Sequence, residues 1–560
     1  MESVIRTAIA ETAEELGFGE VDFSVEHPSD FTHGDYASNV AMVLAREAGK
    51  SPREIAEQFL AALEGQIEYV EKIEIAGPGF INFFLAREFF TEELTRALTL
   101  GNRWGGNDTE AGEHVLIEYT SPNLFKPLHV GNLVGNIVGE SIARLFTANG
   151  AEVERINYPS DIGLTVAKGV WGLTKTGGNP EDIAALGEAY RAGNEAYEND
   201  PTAKEEIETV NRSLYAGDSE ELNTLRAKGI STSKARLAEL CRMLGTEFNL
   251  EIFESEASPL GTALVREHIQ DGIFEESDDA IIFAGEKHGL HTRVFLNSQG
   301  LPTYEAKDLG NFALKQKQYP EWTKSVVVTG SEQREYFKVI IAAIREVFTE
   351  AQEKDLEHIA TGFLTLNTGK MSSRKGNVLT GESMLEEMET AAKERAVESR
   401  AEDVEALAEM IAVAALKYQI LRQSLGSDII FDKERALSFE GDSGPYLQYT
   451  YARINSLLEK AAGVGVAADI KNPPETPYTV EKVIYQFPEV IEQALLDRAP
   501  HQVVTYLTEL AGSFNSFYAE EKIADENDEF APYKAAVAAV VGQTLANGLW
   551  VLGIKAPEKM

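Results

Sequence analysis

The chain has a single cysteine, Cys241, among its 560 residues. One thiol cannot build a disulfide framework or a cysteine-based zinc cluster. Histidine is scarce too: there are nine, none in an HExxH or comparable ligand spacing, so no structural zinc is expected. Apolar runs of roughly 18 residues or more, the length a membrane span needs, are missing as well. The N-terminal stretch MESVIRTAIAETAEELGFGE is acidic and amphipathic and lacks the apolar core of a signal peptide. A cytoplasmic protein with no membrane partner is expected. Internal repeats at periods of about 20–50 residues, which would signal a solenoid or propeller, are also lacking. Positive charge is short, with 51 Lys and Arg against 91 Asp and Glu and a net charge of −40. That balance speaks to solubility and nonspecific binding, and local basic patches could still meet a phosphate backbone.

What is present is ordinary globular material. Hydrophobic residues make up 43% and charged residues 25%, which suits large cores, and the length predicts about three or four domains. Residues 1–105 read as a small α+β unit. Two helical stretches, the second with Ser51 and Glu54 in a capping box and Pro52 at its start, precede YVEKIEIAGPGFINFFLA. That segment alternates apolar and polar residues, breaks at Gly77-Pro78-Gly79 and resumes, which predicts a hairpin. Residues 106–382 open with VLIEYT (115–120), a helix from Pro127 to about Phe146, and EVERINY (152–158). This is a β-α-β unit of the kind that builds parallel nucleotide-binding sheets. Residues 165–290 read as a mostly helical insertion. After it come a strand pair, TRVFLN and LPTYEAK, a helix over 308–317, the strand SVVVTG (325–330) and a helix from about Glu332. Residues 383–560 predict helix almost throughout, interrupted by the loop NPPETPYT (472–479).

Two motifs carry chemistry. In SPNLFKPLHVGNLVGNIVGESIARLF, His129 and Asn132 are three apart, on one face near the positive end of a helix that follows a strand. A helix N-terminus in that setting is a natural phosphate site. Gly131, Gly135, Gly139 and Ala143 recur every four residues as a strip without bulk. Tight helix–sheet packing explains Gly135 and Gly139 best, while Gly131 between His129 and Asn132 suits ligand approach. The second motif, TGKMSSRKGN (368–377), sets Lys370, Arg374, Lys375, Ser372 and Ser373 among glycines. Its spacing is not that of a Walker A loop. A basic, hydroxyl-rich loop can gather charge and donors around a reacting phosphate, or it can be a plain exposed basic loop.

Together, in this order and setting, the motifs resemble the two signatures of class I aminoacyl-tRNA synthetases, usually described as HIGH and KMSKS. The first departs at Asn132, where the family normally has histidine. HGDYASNVAM, AGPGFINFF, EYTSPNLFKPLHVGN, GLPTYEAKDLG, GPYLQYTYARINS and VLGIKAPEKM resemble arginyl-tRNA synthetases in particular, in the family's order from residue 33 to residue 560. The resemblance implies an α/β protein with a Rossmann-like catalytic domain (106–382), an N-terminal α+β tRNA-elbow domain (1–105) and a C-terminal all-α anticodon-binding domain (383–560). It implies an arginine–tRNA ligase using L-arginine, ATP with Mg²⁺ and tRNA(Arg), working as a monomer. His129, Gly131, Asn132, Lys370, Met371, Ser372 and Ser373 would bind ATP, with His129, Asn132 and Lys370 closest to the chemistry. Glu118, Ser121, Asn123, Tyr304, Asp308 and Gln333 would hold arginine. A guanidinium carries five donors and no acceptor, so carboxylates suit it. Asn123 could instead form a turn, and Asp308 could cap its helix. Phe80, Asn82, Tyr446, Tyr449, Arg453 and Met560 would meet tRNA, although Phe80 also fits a hydrophobic core. The remaining readings are a synthetase for cysteine or glutamate, a non-catalytic RNA-binding relative, and a nucleotidylyltransferase sharing the sheet.

Overall fold

The computed structural model describes residues 1–367, 380–397, 399 and 403–560. The chain forms two compact units, one of residues 1–105, 453–489 and 509–547, the other of residues 106–452, 490–508 and 548–560. Among the described residues no helix is long and apolar enough to cross a membrane.

The first unit holds a four-stranded antiparallel sheet of β1 (Val25–Glu26), β2 (Tyr36–Ser38), β3 (Val70–Ala76) and β4 (Phe80–Leu85), in the order β1-β2-β4-β3. The expected hairpin is β3–β4, turning where Gly77 takes φ +52° and Gly79 φ +136°. Ser51, Glu54 and Pro52 start the helix Pro52–Leu63 with the expected capping box.

The second unit is built on five parallel strands: β5 (His114–Glu118), β6 (Glu152–Asn157), β7 (Leu250–Glu251), then β11 (Lys324–Gly330) and β12 (Asp355–Thr361). Three short antiparallel strands, β8 (Phe274–Ser277), β9 (Ala280–Phe283) and β10 (Arg293–Leu296), lie between β7 and β11 in sequence. The sheet order is β12-β11-β5-β6-β7, so the chain moves outward from β5 in both directions. That reversal between β5 and β11 opens a crevice beyond the strands' carboxyl ends, where open α/β sheets bind ligands. A parallel pair, β13 (Leu364–Leu366) with β14 (Ile429–Phe431), adds one short strand to the otherwise helical C-terminal region.

Three expectations change. The stretch LPTYEAK is not a strand: apart from one bridge, Leu296 to Pro302, it turns into a helix at Tyr304 that runs to Gln318. Thr303 ends the extended segment by donating its hydroxyl to the carbonyls of Val294 (2.7 Å) and Phe295 (3.0 Å). Asp308 therefore lies in the second turn and caps nothing. The first-motif helix starts at Val130, not Pro127, because His129 is extended (φ −72°, ψ 149°) and caps the helix by accepting from the Gly131 amide; before it, Thr120, Ser121 and Phe125 hold positive φ angles of 74°, 38° and 67°. The edge strand β12 was not legible in the sequence: DLEHIAT mixes charge and apolar residues, and its burial is graded rather than alternating.

Candidate active site

The crevice is built from the carboxyl ends of β5 and β11. Glu118 closes β5, is 5% exposed, and its Oε2 accepts from Asn311 Nδ2 (2.8 Å) and Lys315 Nζ (2.9 Å). Asp308, Asn311 and Lys315 stand at i, i+3 and i+7 on the helix Tyr304–Gln318, so one helix face meets the end of β5. With Phe312, Phe337 and Ile340 they line a small, partly open pocket between the sheet and the helices.

Asp308 is the unusual group. The Tyr336 hydroxyl donates to its Oδ2 at 2.6 Å, yet burial pushes its carboxyl up to about 8, with the negative charges of Glu118 and Glu254 adding to the rise. The Tyr336 hydrogen bond and Lys315 oppose that rise and do not overcome it. Lys315, the cation in the pocket wall, pairs with Glu118. The pocket thus presents an acidic group whose partner is a neutral hydroxyl, which a bound cation would discharge. Nearby, Lys307 pairs with Glu254 at 2.6 Å, both buried. The Tyr158 hydroxyl is buried with no hydrogen-bond partner among the described residues. Burial lifts its pKa well above the usual range, and the Asp308 charge adds to the rise. Tyr158 and Tyr336 went unmarked in the sequence, because nothing in their spacing links them to Asp308.

On the other side of the crevice His129 caps the helix Val130–Ala148. Its Nδ1 accepts from the Gly131 amide at 3.1 Å, which fixes the tautomer with the proton on Nε2. Burial lowers the imidazole's pKa, Lys126 adds to the fall, and Glu332 works against it. A neutral ring with an outward N–H can donate to a phosphate oxygen. Asn132 behaves differently, giving its amide to the Thr120 carbonyl at 2.7 Å. Ser121 sits in the same strained turn. Asn123 bridges to Ser160, and its side-chain oxygen is buried with no partner among the described residues. The insertion supports this loop: Ser233 Oγ accepts from the Phe125 amide at 3.1 Å, and Gly229 leaves room for the Phe125 ring. Tyr304 is 57% exposed, and Gln333 is exposed after β11.

Lys370, Met371, Ser372 and Ser373 lie outside the described residues. Beyond them in sequence, Thr380 bridges to His129, the Gly381 amide donates to the Leu128 carbonyl at 2.8 Å, and Glu382 accepts from the Leu128 amide at 3.1 Å. The residues that follow the second motif in sequence are thus held against the first.

In the first unit Phe80 is 39% exposed at the start of β4, whereas Asn82 is only 4% exposed, between Ala37 and Glu74 of the flanking strands. Arg453 donates to Asn515 at 3.2 Å and lies 4.4 Å over the Tyr518 ring. In the second unit Tyr449 is 44% exposed, and Tyr446 and Met560 are partly exposed. Among the described residues His114, Glu152 and Glu154 could bring three ligand atoms within 4.8 Å of one another. They sit at the amino ends of β5 and β6, away from the crevice. Burial pushes the Cys241 thiol up to about 12, which leaves it no thiolate for a metal.

A parallel sheet with its switch point at β5, a histidine-capped helix after that strand and a bridge from Thr380 back to that histidine are the frame of a class I tRNA synthetase. Residues 93–433, more than half of the chain, match the family described as "tRNA synthetases class I (R), catalytic domain". Residues 2–85 match "Arginyl tRNA synthetase N terminal domain" and residues 447–560 match "DALR anticodon binding domain". The chain belongs to the arginyl-tRNA synthetase family. It is 30% identical to an arginine–tRNA ligase of Clostridioides difficile over 99% of each protein. It is 29% identical to one of Thermococcus sibiricus, covering 100% of this chain and 98% of that protein. The solved structure of Thermus thermophilus arginyl-tRNA synthetase matches with a TM-score of 0.81 and 26% identity over all of both chains.

Proposed function

We propose that this chain activates L-arginine with ATP, forming arginyl-adenylate and pyrophosphate, and transfers arginine to the 3′ end of its tRNA. The observation that carries the reading is Asp308, an acidic group in a walled pocket whose neighbouring cation already belongs to Glu118. A guanidinium supplies the missing positive charge and several donors in one plane. Tyr304 stands at the start of the same helix and is 57% exposed, which leaves its ring available to a ligand. The orphan oxygen of Asn123 suits the α-ammonium group, with Ser121 and Gln333 beside the same crevice. Arginine's carboxylate then attacks the α-phosphate in line, and the protein's work is positioning and charge stabilisation. His129 Nε2–H would donate to the phosphates, and Lys370 with Ser372 and Ser373 would add charge and hydroxyl donors there. ATP brings its Mg²⁺ on the phosphates, and the reading needs no zinc. Phe80, Tyr446, Tyr449, Arg453 and Met560 are assigned to tRNA. Asn82 is left out of that set, because it is buried within the sheet.

Rejection of lysine and neutral analogues follows from the same pocket, since they leave buried acceptors unpaired. The test is ATP–pyrophosphate exchange with each of the twenty amino acids, with and without total tRNA. Exchange that depends on arginine is the expected result. Dependence on another amino acid would overturn the specificity, and silence under every condition would favour a non-catalytic relative.

A further inference from the structure

One face of the helix Val130–Ala148 is hydrogen-bonded to the end of β5 at three successive turns. Asn132 Nδ2 donates to the Thr120 carbonyl (2.7 Å), Asn136 Nδ2 to the Thr120 hydroxyl (2.9 Å), and the Tyr119 hydroxyl to Glu140 (2.5 Å). The three helix residues stand at i, i+4 and i+8, one above another. The lower rungs are well fixed: Asn136 Oδ1 accepts from Thr246 (2.9 Å), and Glu140 also accepts from Arg144 (2.7 Å) and Arg155 (3.1 Å). What the ladder holds is strained. Thr120 and Ser121 have φ angles of 74° and 38°, a region that a β-branched threonine in particular avoids. Such residues persist only where their surroundings over-determine them, at about 1–3 kcal/mol each. Two residues before this turn is Glu118, which lines the Asp308 pocket, and two residues after it is Asn123, whose side-chain oxygen has no partner among the described residues.

We infer that Asn132 is a positioning residue for arginine, clamping the strained Thr120–Ser121 turn between Glu118 and Asn123, and is not a phosphate ligand. The histidine-capped end of the helix serves ATP through His129, and Asn132, three residues further on, serves the amino acid. Asparagine suits this task, since a short planar amide on the first helical turn reaches the carbonyl of the strand end directly. The kinetic part of the test rests on the arginine reading above, while the exchange part does not.

In the full-length protein, Asn132→Ala should raise the arginine KM by roughly five- to tenfold, about what one lost hydrogen bond and a relaxed turn give. The ATP KM should stay within about twofold over the same series. Glycine adopts positive φ without a steric penalty, so in a Thr120→Gly background the same substitution should shift the arginine KM by less than about twofold. Amide hydrogen exchange of residues 119–125 in the free protein should speed up in Asn132→Ala and be insensitive to Asn132 in the Thr120→Gly background. A rise confined to the ATP KM, equal rises in both, or an undiminished effect beside Thr120→Gly would overturn the clamp. Unchanged hydrogen exchange would overturn it even if the parent protein proved inactive with arginine, a failure that would belong to the activity reading alone.

Discussion

Asp308 concentrates the chemistry at the scale of single residues. In the empty pocket at neutral pH its carboxyl, pushed up to about 8 by burial first, is mostly protonated. A guanidinium needs it ionised, so arginine binding below that value must release a proton. The arginine KM should therefore fall as pH rises toward about 8 and level off above it. Asp308→Asn removes the charge and should raise the arginine KM roughly a hundredfold, a size typical of an unpaired buried charge contact. The variant should also flatten the pH dependence and leave the ATP KM within about twofold. Stability follows the opposite sign from that of an ordinary surface carboxylate. The folded pKa is raised, so the folded state holds the proton more tightly than the unfolded one. Asp308 thus costs the empty protein stability as pH rises from the usual carboxylate range through about 8, and thermal melts of Asp308→Asn should lack that decline. Equal effects on both substrates, or an arginine KM that falls as pH drops, would remove Asp308 from the pocket.

At the scale of elements, the sequence disclosed the scaffold better than its joints. Periodicity placed β5, β6, β11 and the first-motif helix within a few residues, because buried parallel strands read as apolar runs and the helix carries a glycine strip. Gly139 gains a specific explanation: a Cβ there would overlap the Tyr119 ring that packs against the helix. Gly135 has more space, its nearest neighbours being the Val328 carbonyl at 3.9 Å and the Thr120 amide at 4.0 Å. Gly139→Ala should therefore destabilise the fold by about 1–3 kcal/mol, the usual cost of overpacking, while Gly135→Ala should be far milder. Chemical denaturation of the two variants checks the ranking, and equal midpoints would contradict it. The helix predicted over 308–317 already set Asp308, Asn311 and Lys315 on one face; what stayed hidden was that this face meets Glu118, and alternation in LPTYEAK pointed to a strand where the first helical turn lies. The strained 120–125 loop was equally hidden, since it depends on Asn132, Asn136 and the insertion's Ser233, up to 108 positions away.

For the whole molecule, composition restrained less than it suggested. A net charge of −40 does not bar an RNA partner, but it requires that tRNA be met by local groups and not by a general field. The resemblance read from scattered motifs proved to cover the entire chain, from the N-terminal match at residue 2 to the anticodon-domain match at residue 560. The two compact units are less visible in sequence: residues 453–489 and 509–547 belong with residues 1–105, a pairing that no local pattern announces. The central claim is that these parts together charge tRNA with arginine. Its most direct test is aminoacylation of total tRNA by the intact protein with each labelled amino acid in turn. Arginine alone should become acid-precipitable, in a single family of tRNAs and only with ATP present; charging with any other amino acid, or none with arginine, would contradict the account.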